Sequence, residues 1–197
     1  MKNLPNFRIQ SLGEISNEFL RNGILTFSDA TDFVANMDYG RNANKDDLKT
    51  VFIDNRGTCS TKHALLKKLA DENGLEEIKL FLGIFKMNAK NTLAISGTLR
   101  KNKLEFIPEA HNYLKFENEI FDFTTSDSKA SDFENDLIFE VEILPSQISN
   151  YKVDFHRRFL HDWLNQNSGI KFELDQFWKI RESCIQDLAN ESGRNSS

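Results

Sequence analysis

Several features that define large classes of proteins are missing from this chain. It has no surplus of basic residues, since its net charge is −5, and a nucleic-acid-binding surface needs a basic face or stripe. No stretch approaches the roughly 18–20 consecutive apolar residues of a membrane span. No glycine-rich segment leads into the Lys-Ser/Thr pair of a phosphate-binding loop. We therefore expect neither nucleic acid nor a membrane as a partner.

Cysteine is also scarce, and its placement bears on the cellular compartment. The chain has two cysteines, Cys59 and Cys184, which lie far apart in the sequence. Residues 1–10 are largely polar or charged and lack the apolar core of a secretion signal. Without an export signal a disulfide is not expected, and the predicted location is the cytoplasm.

The composition that remains is that of a globular domain. Hydrophobic residues make up 39% and charged residues 28% of the 197 residues, which is ordinary for a globular protein and long enough for one sizeable core. No internal repeat or linker divides the chain. We predict a single domain over residues 1–190 and a disordered tail over residues 191–197.

Periodicity predicts an α+β order of elements. Apolar residues at helical spacing, with capping residues or glycines at the ends, indicate helices, whereas β-rich apolar runs indicate strands, one of them buried on both faces. A polar stretch shows neither pattern and is predicted to be irregular. The predicted helices are 12–22 (capped by Ser11), one that starts at Ser28, 59–73, 151–166 and 174–188; the predicted strands are 78–85, the hairpin 111–124 and 137–144; the irregular stretch is 88–103.

The hairpin brings together two residues that suit acid–base chemistry. Its two-residue turn is predicted at Glu117-Asn118, a register that places Tyr113 opposite Asp122. Because side chains alternate along a strand, His111 and Asp122 become diagonal neighbours on one face. An acid in that position orients an imidazole and stabilises its charged form. A slip of one residue would send Asp122 to the other face.

Cys59 stands at the predicted N-terminus of a helix. The helix dipole and the free N–H groups there favour a thiolate over a thiol, and the N–H of Cys59 itself is a candidate oxyanion donor. Gly57 and Thr58 are interpreted as leaving room for a substrate to approach. A helix of this kind docked on the hairpin would combine Cys59, His111 and Asp122 as nucleophile, base and orienting acid.

Motifs in this order resemble the transglutaminase-like superfamily of papain-type cysteine proteins. Residues 57–66 (GTCSTKHALL) are similar to its Gly-x-Cys nucleophile segment at a helix start. Residues 111–116 (HNYLKF) resemble its His strand, and residues 119–124 (EIFDFT) resemble its strand ending in Asp-x-Thr. Residues 39–41 (YGR) look like the loop that precedes the Cys segment in bacterial members. The resemblance covers roughly residues 30–125.

The resemblance implies both a fold and a site. It implies a transglutaminase-like, cysteine-protease fold in which an antiparallel sheet packs against an N-terminal helical part carrying the Cys helix. It also implies Cys59, His111 and Asp122 as the catalytic triad. The sequence departs from the family in a shorter hairpin and in Ile120-Phe121, where an aromatic residue, often Trp, commonly precedes the Asp; both departures concern the substrate groove.

Other polar residues near these motifs have two interpretations each. Tyr39 and Asn55 are either a second oxyanion donor and part of the cleft, or ordinary loop residues. Lys62 either lies on the surface or lines the cleft. His63 follows Cys59 by four residues, so the two could form a metal-binding pair. Zinc, however, needs three or four ligands, and no second closely spaced pair of ligands accompanies these two residues. We therefore predict no metal and no cofactor, and interpret His63 as a packed helix residue and Cys184 as structural.

The expected activity is acyl transfer through a Cys thioester. With water as the acceptor the chain would be a hydrolase, such as a peptidase or amidase acting on a peptide or small amide, and this is favoured over transfer to an amine. A first alternative is a non-catalytic binding or scaffold domain, because a fold alone does not establish function. A second is an arylamine acyltransferase, which would require an acyl-carrier cofactor that no segment identifies.

Overall fold

The chain forms an α+β domain. The computed structural model describes the backbone of residues 4–195 and the side chains of residues 4–190. Within that range the elements are, in chain order, α1 (Glu14–Arg21), α2 (Phe27–Asn36), β1 (Asp38–Tyr39), α3 (Thr50–Ile53), β2 (Arg56–Gly57), α4 (Cys59–Glu72), β3 (Ile78–Asn88), α5 (Ser96–Lys101), β4 (Phe106–Phe116), β5 (Glu119–Phe121), β6 (Leu137–Ile143), α6 (Asn150–Gln166) and α7 (Leu174–Asn195).

The main sheet is antiparallel and has four strands in the order β5-β4-β3-β6. Strands β3 and β4 pair along their whole length, from Ile78 opposite Phe116 to Asn88 opposite Phe106. The short strand β5 covers only the last part of β4. Separately, β1 and β2 form a two-residue parallel pair in which Tyr39 lies opposite Gly57. The predicted antiparallel sheet is therefore confirmed.

Helix α4 lies at the centre of the larger of two hydrophobic cores. It contacts both α1 and α2 as well as strands β3 and β4. Its apolar residues Leu65, Leu66 and Leu69 are fully buried, and each such side chain contributes about 1.5–3 kcal/mol relative to exposure. Alternate residues of β3 join this core, whereas Phe85 and Met87 join the second core beneath α5, α6 and α7. The prediction that β3 is buried on both faces is confirmed.

The first two helices begin at residues other than those predicted. Helix α1 starts at Glu14, and the carboxylate of Glu72 accepts hydrogen bonds from the N–H groups of Ile15 and Ser16 at 3.3 and 2.7 Å. This distant carboxylate does the capping that was predicted for Ser11. Helix α2 starts one residue before the predicted Ser28, because the Thr26 side chain caps it by accepting from the Asp29 N–H at 3.2 Å.

The stretch predicted to be irregular is structured. Strand β3 continues to Asn88, a 3-10 turn spans Leu93–Ile95, and α5 follows directly. Ile95 and Leu99 are buried in the second core, one helical turn apart. Packing against α7 thus imposes helix on a segment whose local sequence is too polar to predict it.

The C-terminal part is more helical than predicted. Helix α7 runs to Asn195, so residues 191–195 continue the helix where the sequence predicts a disordered tail, while residues 196–197 lie outside the described part. Between residues 4 and 195, no helix combines the length and the apolar character that crossing a bilayer requires.

The start of α4 is fixed by a buried lysine. Lys62 is fully buried, and its Nζ donates to the carbonyl oxygens of Met37 at 2.6 Å and Thr124 at 2.7 Å; burial lowers the pKa of Lys62 to about 8. Lys62 therefore neither lies on the surface nor lines a cleft but joins the end of α2 to the segment after β5. The space beside Gly57 is filled as well, since a Cβ there would lie 2.8 Å from Lys62 Cγ and 2.9 Å from Thr61 Oγ1. Gly57 thus makes room for Lys62, not for a substrate.

We predict that Gly57→Ala lowers the free energy of unfolding by about 1–3 kcal/mol, because the added methyl group displaces Lys62 from both carbonyl oxygens. Urea denaturation followed by circular dichroism measures the change. Gly97→Ala is the matched control, since a Cβ at that exposed position in α5 meets nothing within 4 Å. Equal stability of the two variants would contradict this account of Gly57.

Candidate active site

The three residues predicted as a triad lie together beside an open edge of β4. Strand β5 pairs with β4 only from Leu114 onward, so no strand within residues 4–195 covers that edge near His111. His111 Nε2 lies 2.9 Å from Asp122 Oδ2, and His111 and Cys59 line the same cavity and interact electrostatically. Because Asp122 occupies Nε2, Nδ1 is the ring nitrogen that is left to exchange a proton with the thiol. The predicted register of the hairpin is confirmed from Leu114 to Phe121, with Phe116 opposite Glu119. The predicted pairing of Tyr113 with Asp122 is not formed, because β5 ends at Phe121 and Asp122 follows it in an irregular segment.

Local capping places Cys59 at the start of α4. The N–H of Thr58 donates to Thr61 Oγ1 at 3.0 Å, and Thr61 Oγ1 donates in turn to Asn42 Oδ1 at 2.7 Å. Asn42 is buried and donates to the carbonyl oxygen of Arg56 at 2.8 Å. This network ends the preceding β2 strand and begins the helix at one defined residue. The N–H of Cys59 belongs to the first turn, whose N–H groups have no acceptor within the helix.

Asp122 is held in one orientation by hydrogen bonds to both oxygens. Oδ2 contacts His111, while Oδ1 accepts from the N–H and the hydroxyl of Thr124 at 2.9 and 2.5 Å. Burial opposes ionisation, but the charge and hydrogen bond of His111 outweigh it and hold the pKa of Asp122 well below its usual range. Asp122 is therefore a fixed anion that faces the imidazole.

His63 has a structural position beside this group. The N–H of Phe123 donates to its Nε2 at 2.8 Å, so the proton of the neutral ring is on Nδ1, which donates to the carbonyl oxygen of Cys59 at 2.7 Å. Burial lowers the pKa of His63 to about 4, so the ring stays neutral. Both nitrogens are thus engaged by backbone, and the ring links the start of α4 to the end of the hairpin.

Lys152, on helix α6, is a site residue that the sequence analysis missed. Its Nζ donates to Ser60 Oγ at 2.8 Å and to Asn112 Oδ1 at 2.7 Å, and lies 3.7 Å from Cys59 Sγ. The signal was its spacing: Lys152, His156 and Leu160 follow one another at intervals of four and form the buried face of α6. A lysine on an apolar helical face indicates a buried partner.

The electrostatic surroundings favour a thiolate–imidazolium pair. Burial raises the pKa of the Cys59 thiol, but the positive charges of Lys152 and His111 outweigh it and lower that pKa to about 6. Burial lowers the pKa of His111, but Asp122 and the thiolate raise it to about 10. Between these two pH values Cys59 is deprotonated and His111 is protonated.

Of the two candidate oxyanion donors, the structure brings only Tyr39 to the thiol. The β1–β2 pair places Tyr39 beside Gly57, two residues before Cys59, and burial together with the Cys59 charge raises the pKa of Tyr39. The phenol therefore stays protonated. Asn55, in contrast, is exposed in the turn after α3 and has a left-handed φ of 48°. Asparagine tolerates that backbone conformation, which explains why this residue type occurs at position 55.

Two cavities open beside Cys59. The first, of about 350 Å³, is lined by charged residues and is called the cationic cavity here; its lining includes Tyr39, Lys45, Cys59, Lys152 and Arg181. The second, of about 250 Å³, is called the histidine cavity; its lining includes Tyr39, Cys59, Phe85, Met87 and His111. A substrate with its reacting carbon at Sγ can therefore extend in two directions.

No family model, curated protein or solved structure matches this chain. The chemistry of the site is therefore inferred from its geometry and its charges.

We predict that Lys152→Met raises the pH midpoint of Cys59 alkylation by iodoacetamide by roughly one pH unit or more, because a nearby positive charge favours the thiolate. The measurement uses the Cys184→Ser background, so that Cys59 is the one remaining thiol. Arg158→Met, which removes a charge from the exposed side of the same helix, is the control. An unchanged midpoint in a natively folded Lys152→Met protein would contradict the role assigned to Lys152.

Proposed function

We propose that the chain is a thiol-dependent acyl-transfer enzyme that hydrolyses an amide or peptide bond through a Cys59 thioester, in a domain of the transglutaminase-like, papain-type class. The observation that carries the proposal is the hydrogen bond between His111 and Asp122 at 2.9 Å, in a cavity that His111 shares with Cys59. A buried ionised aspartate, a protonated imidazole and a thiol of low pKa in that order are the groups that nucleophilic acyl transfer requires.

The first half of the reaction transfers the acyl group to the enzyme. The Cys59 thiolate attacks the amide carbon, a C–S bond forms, and the carbonyl electron pair moves to the oxygen. The N–H of Cys59 and the hydroxyl of Tyr39 are the donors proposed for this oxyanion. The imidazolium of His111 gives its proton to the amide nitrogen, the C–N bond breaks, and the amine leaves a thioester on Cys59.

The second half releases the acyl group. Neutral His111 removes a proton from water as the water oxygen attacks the thioester carbon. The C–S bond then breaks, the carboxylic acid leaves, and the thiolate–imidazolium pair is restored. An amine that replaces water would give a new amide by the same steps. Hydrolysis is favoured because the cavities at the thiol are small, which suits a small acceptor.

Asp122 serves this cycle as a positioning residue. Its hydrogen bond to Nε2 leaves Nδ1 of His111 available to the sulfur and stabilises the ring while it carries the proton. The aromatic ring of Phe133 packs edge-on against His111 with centroids 4.8 Å apart, which limits the access of water and the rotation of the imidazole. Rotation of the ring away from Asp122 would disconnect the base from its orienting acid.

We predict that p-nitrophenyl acetate acetylates Cys59 with a burst of nitrophenolate, and that Asp122→Asn slows acetylation by about 10²-fold or more, because the imidazole loses its orientation and charge stabilisation. Stopped-flow absorbance gives the rate, and intact-protein mass spectrometry detects the adduct. Cys59→Ser corrects for acetylation of surface lysines.

His111→Ala is expected to abolish the burst as well. The proposed function would be contradicted if the natively folded protein showed no acetylation of Cys59. It would also be contradicted if the acetylation rate were unchanged in both His111→Ala and Asp122→Asn. Either result would favour a binding or scaffold domain.

A further inference from the structure

The charged lining of the cationic cavity contains pairs that neutralise each other. Glu109 is buried and accepts two hydrogen bonds from Arg181. Glu182 accepts from Arg41 at 2.7 Å and from Arg181 at 2.6 Å. The two guanidinium charges are therefore balanced by two carboxylates, and this part of the lining carries no excess charge.

Two lysines of the same cavity have no carboxylate partner. Within residues 4–190, no acidic side chain lies within ion-pair distance of Lys45 or Lys152. Lys152 contacts neutral acceptors and the thiol, and Lys45 is half-buried with no hydrogen bond to another residue of that range. Burial and repulsion by Lys152 and Arg41 lower the pKa of Lys45, as expected for a cation placed among cations.

The charge of the whole site is therefore unbalanced. With Cys59 as a thiolate and Asp122 ionised, the three cations His111, Lys152 and Lys45 leave one positive charge in excess. A partly buried charge without a partner is costly, so a site of this kind gains from a ligand that supplies one negative charge. The ammonium group of Lys45 is free to bind a carboxylate, whereas Lys152 already contacts Ser60, Asn112 and Cys59 and contributes its charge alone. A phosphate, in contrast, is more often held by arginine forks.

The position of His111 determines which part of the substrate would bring that charge. The general acid must lie next to the leaving nitrogen, so the leaving amine occupies the histidine cavity, where Phe85 and Met87 provide apolar walls. The acyl part then extends to the other side of the sulfur. That side is the cationic cavity, whose lining includes Cys59, Lys45 and Lys152 but not His111.

We propose that the substrate is an amide whose acyl chain carries a carboxylate, bound in the cationic cavity by the ammonium group of Lys45 and attracted there by the charge of Lys152. This inference depends on the proposed function, because it assigns the two cavities by the direction in which the amide is cleaved. It specifies a substrate class: an anionic acyl group joined to an uncharged, partly apolar amine. Lys45 is the specificity residue, since Lys152 is already needed to stabilise the thiolate.

A matched pair of alkylating reagents tests this proposal. Iodoacetate and iodoacetamide have nearly the same shape and differ by one negative charge, so the ratio of their rates at Cys59 reports the local potential. In the Cys184→Ser background at neutral pH and low ionic strength, we expect Lys45→Gln to lower the ratio of the iodoacetate rate to the iodoacetamide rate about threefold or more. Lys45→Arg should retain the ratio, as should Lys90→Gln, which removes an exposed charge elsewhere.

Competition distinguishes a carboxylate from other anions. Butyrate should protect Cys59 from iodoacetamide more strongly than the uncharged butyramide, and this protection should weaken in Lys45→Gln. Inorganic phosphate that protects as strongly as butyrate would overturn the assignment of a carboxylate.

Failure of this proposal differs from failure of the proposed function. Fast, His111-dependent alkylation with a reagent ratio equal to that of free cysteine and unchanged in Lys45→Gln would overturn the anionic substrate but leave the triad intact. Slow alkylation whose rate does not change in His111→Ala would overturn the triad, and the substrate assignment with it.

Discussion

The electrostatic stabilisation of a thiolate at Cys59 is the interaction on which the rest of the site depends. The thiol is buried, and burial alone would keep it protonated. Lys152 on one side and His111 on the other reverse that preference, and Asp122 in turn keeps His111 charged. Because each group depends on its neighbours for its ionisation state, removal of one leaves another buried charge without compensation.

Much of the surrounding structure fixes the positions of these charged groups relative to one another. The capping network of Thr58, Thr61 and Asn42 fixes the start of α4, and Lys62 ties that start to the segment that follows Asp122. At the other end of the chain, the ion pair of Arg181 with Glu109 joins α7 to β4 two residues from His111. Three separate parts of the chain are thus fastened around one sulfur atom.

The sequence predicts the parts of this site that depend on local patterns. Strand alternation and the two-residue turn are enough to bring His111 beside Asp122, and capping residues are enough to place Cys59 at a helix start. Contacts between distant segments were not predictable in the same way. Lys152 reaches Ser60 across 92 positions and Glu72 caps α1 across 56, and the polar stretch before β4 becomes helical only because α7 packs on it.

The two cavities connect this arrangement to substrate choice. Sulfur, general acid and oxyanion donors are shared by any acyl-transfer reaction at this site, whereas the walls on either side of the sulfur differ in charge. An apolar wall lies beside the acid and a cationic wall lies beside Lys152. The residues that activate the thiol and those that would select a substrate are therefore neighbours, and Lys152 belongs to both groups. The most direct test of the central claim is a titration of the thiolate itself by its ultraviolet absorbance in the Cys184→Ser protein, with the Cys59→Ser/Cys184→Ser protein subtracted. A midpoint near pH 6 is predicted, and a midpoint near the ordinary thiol value of about 8.5 would contradict it.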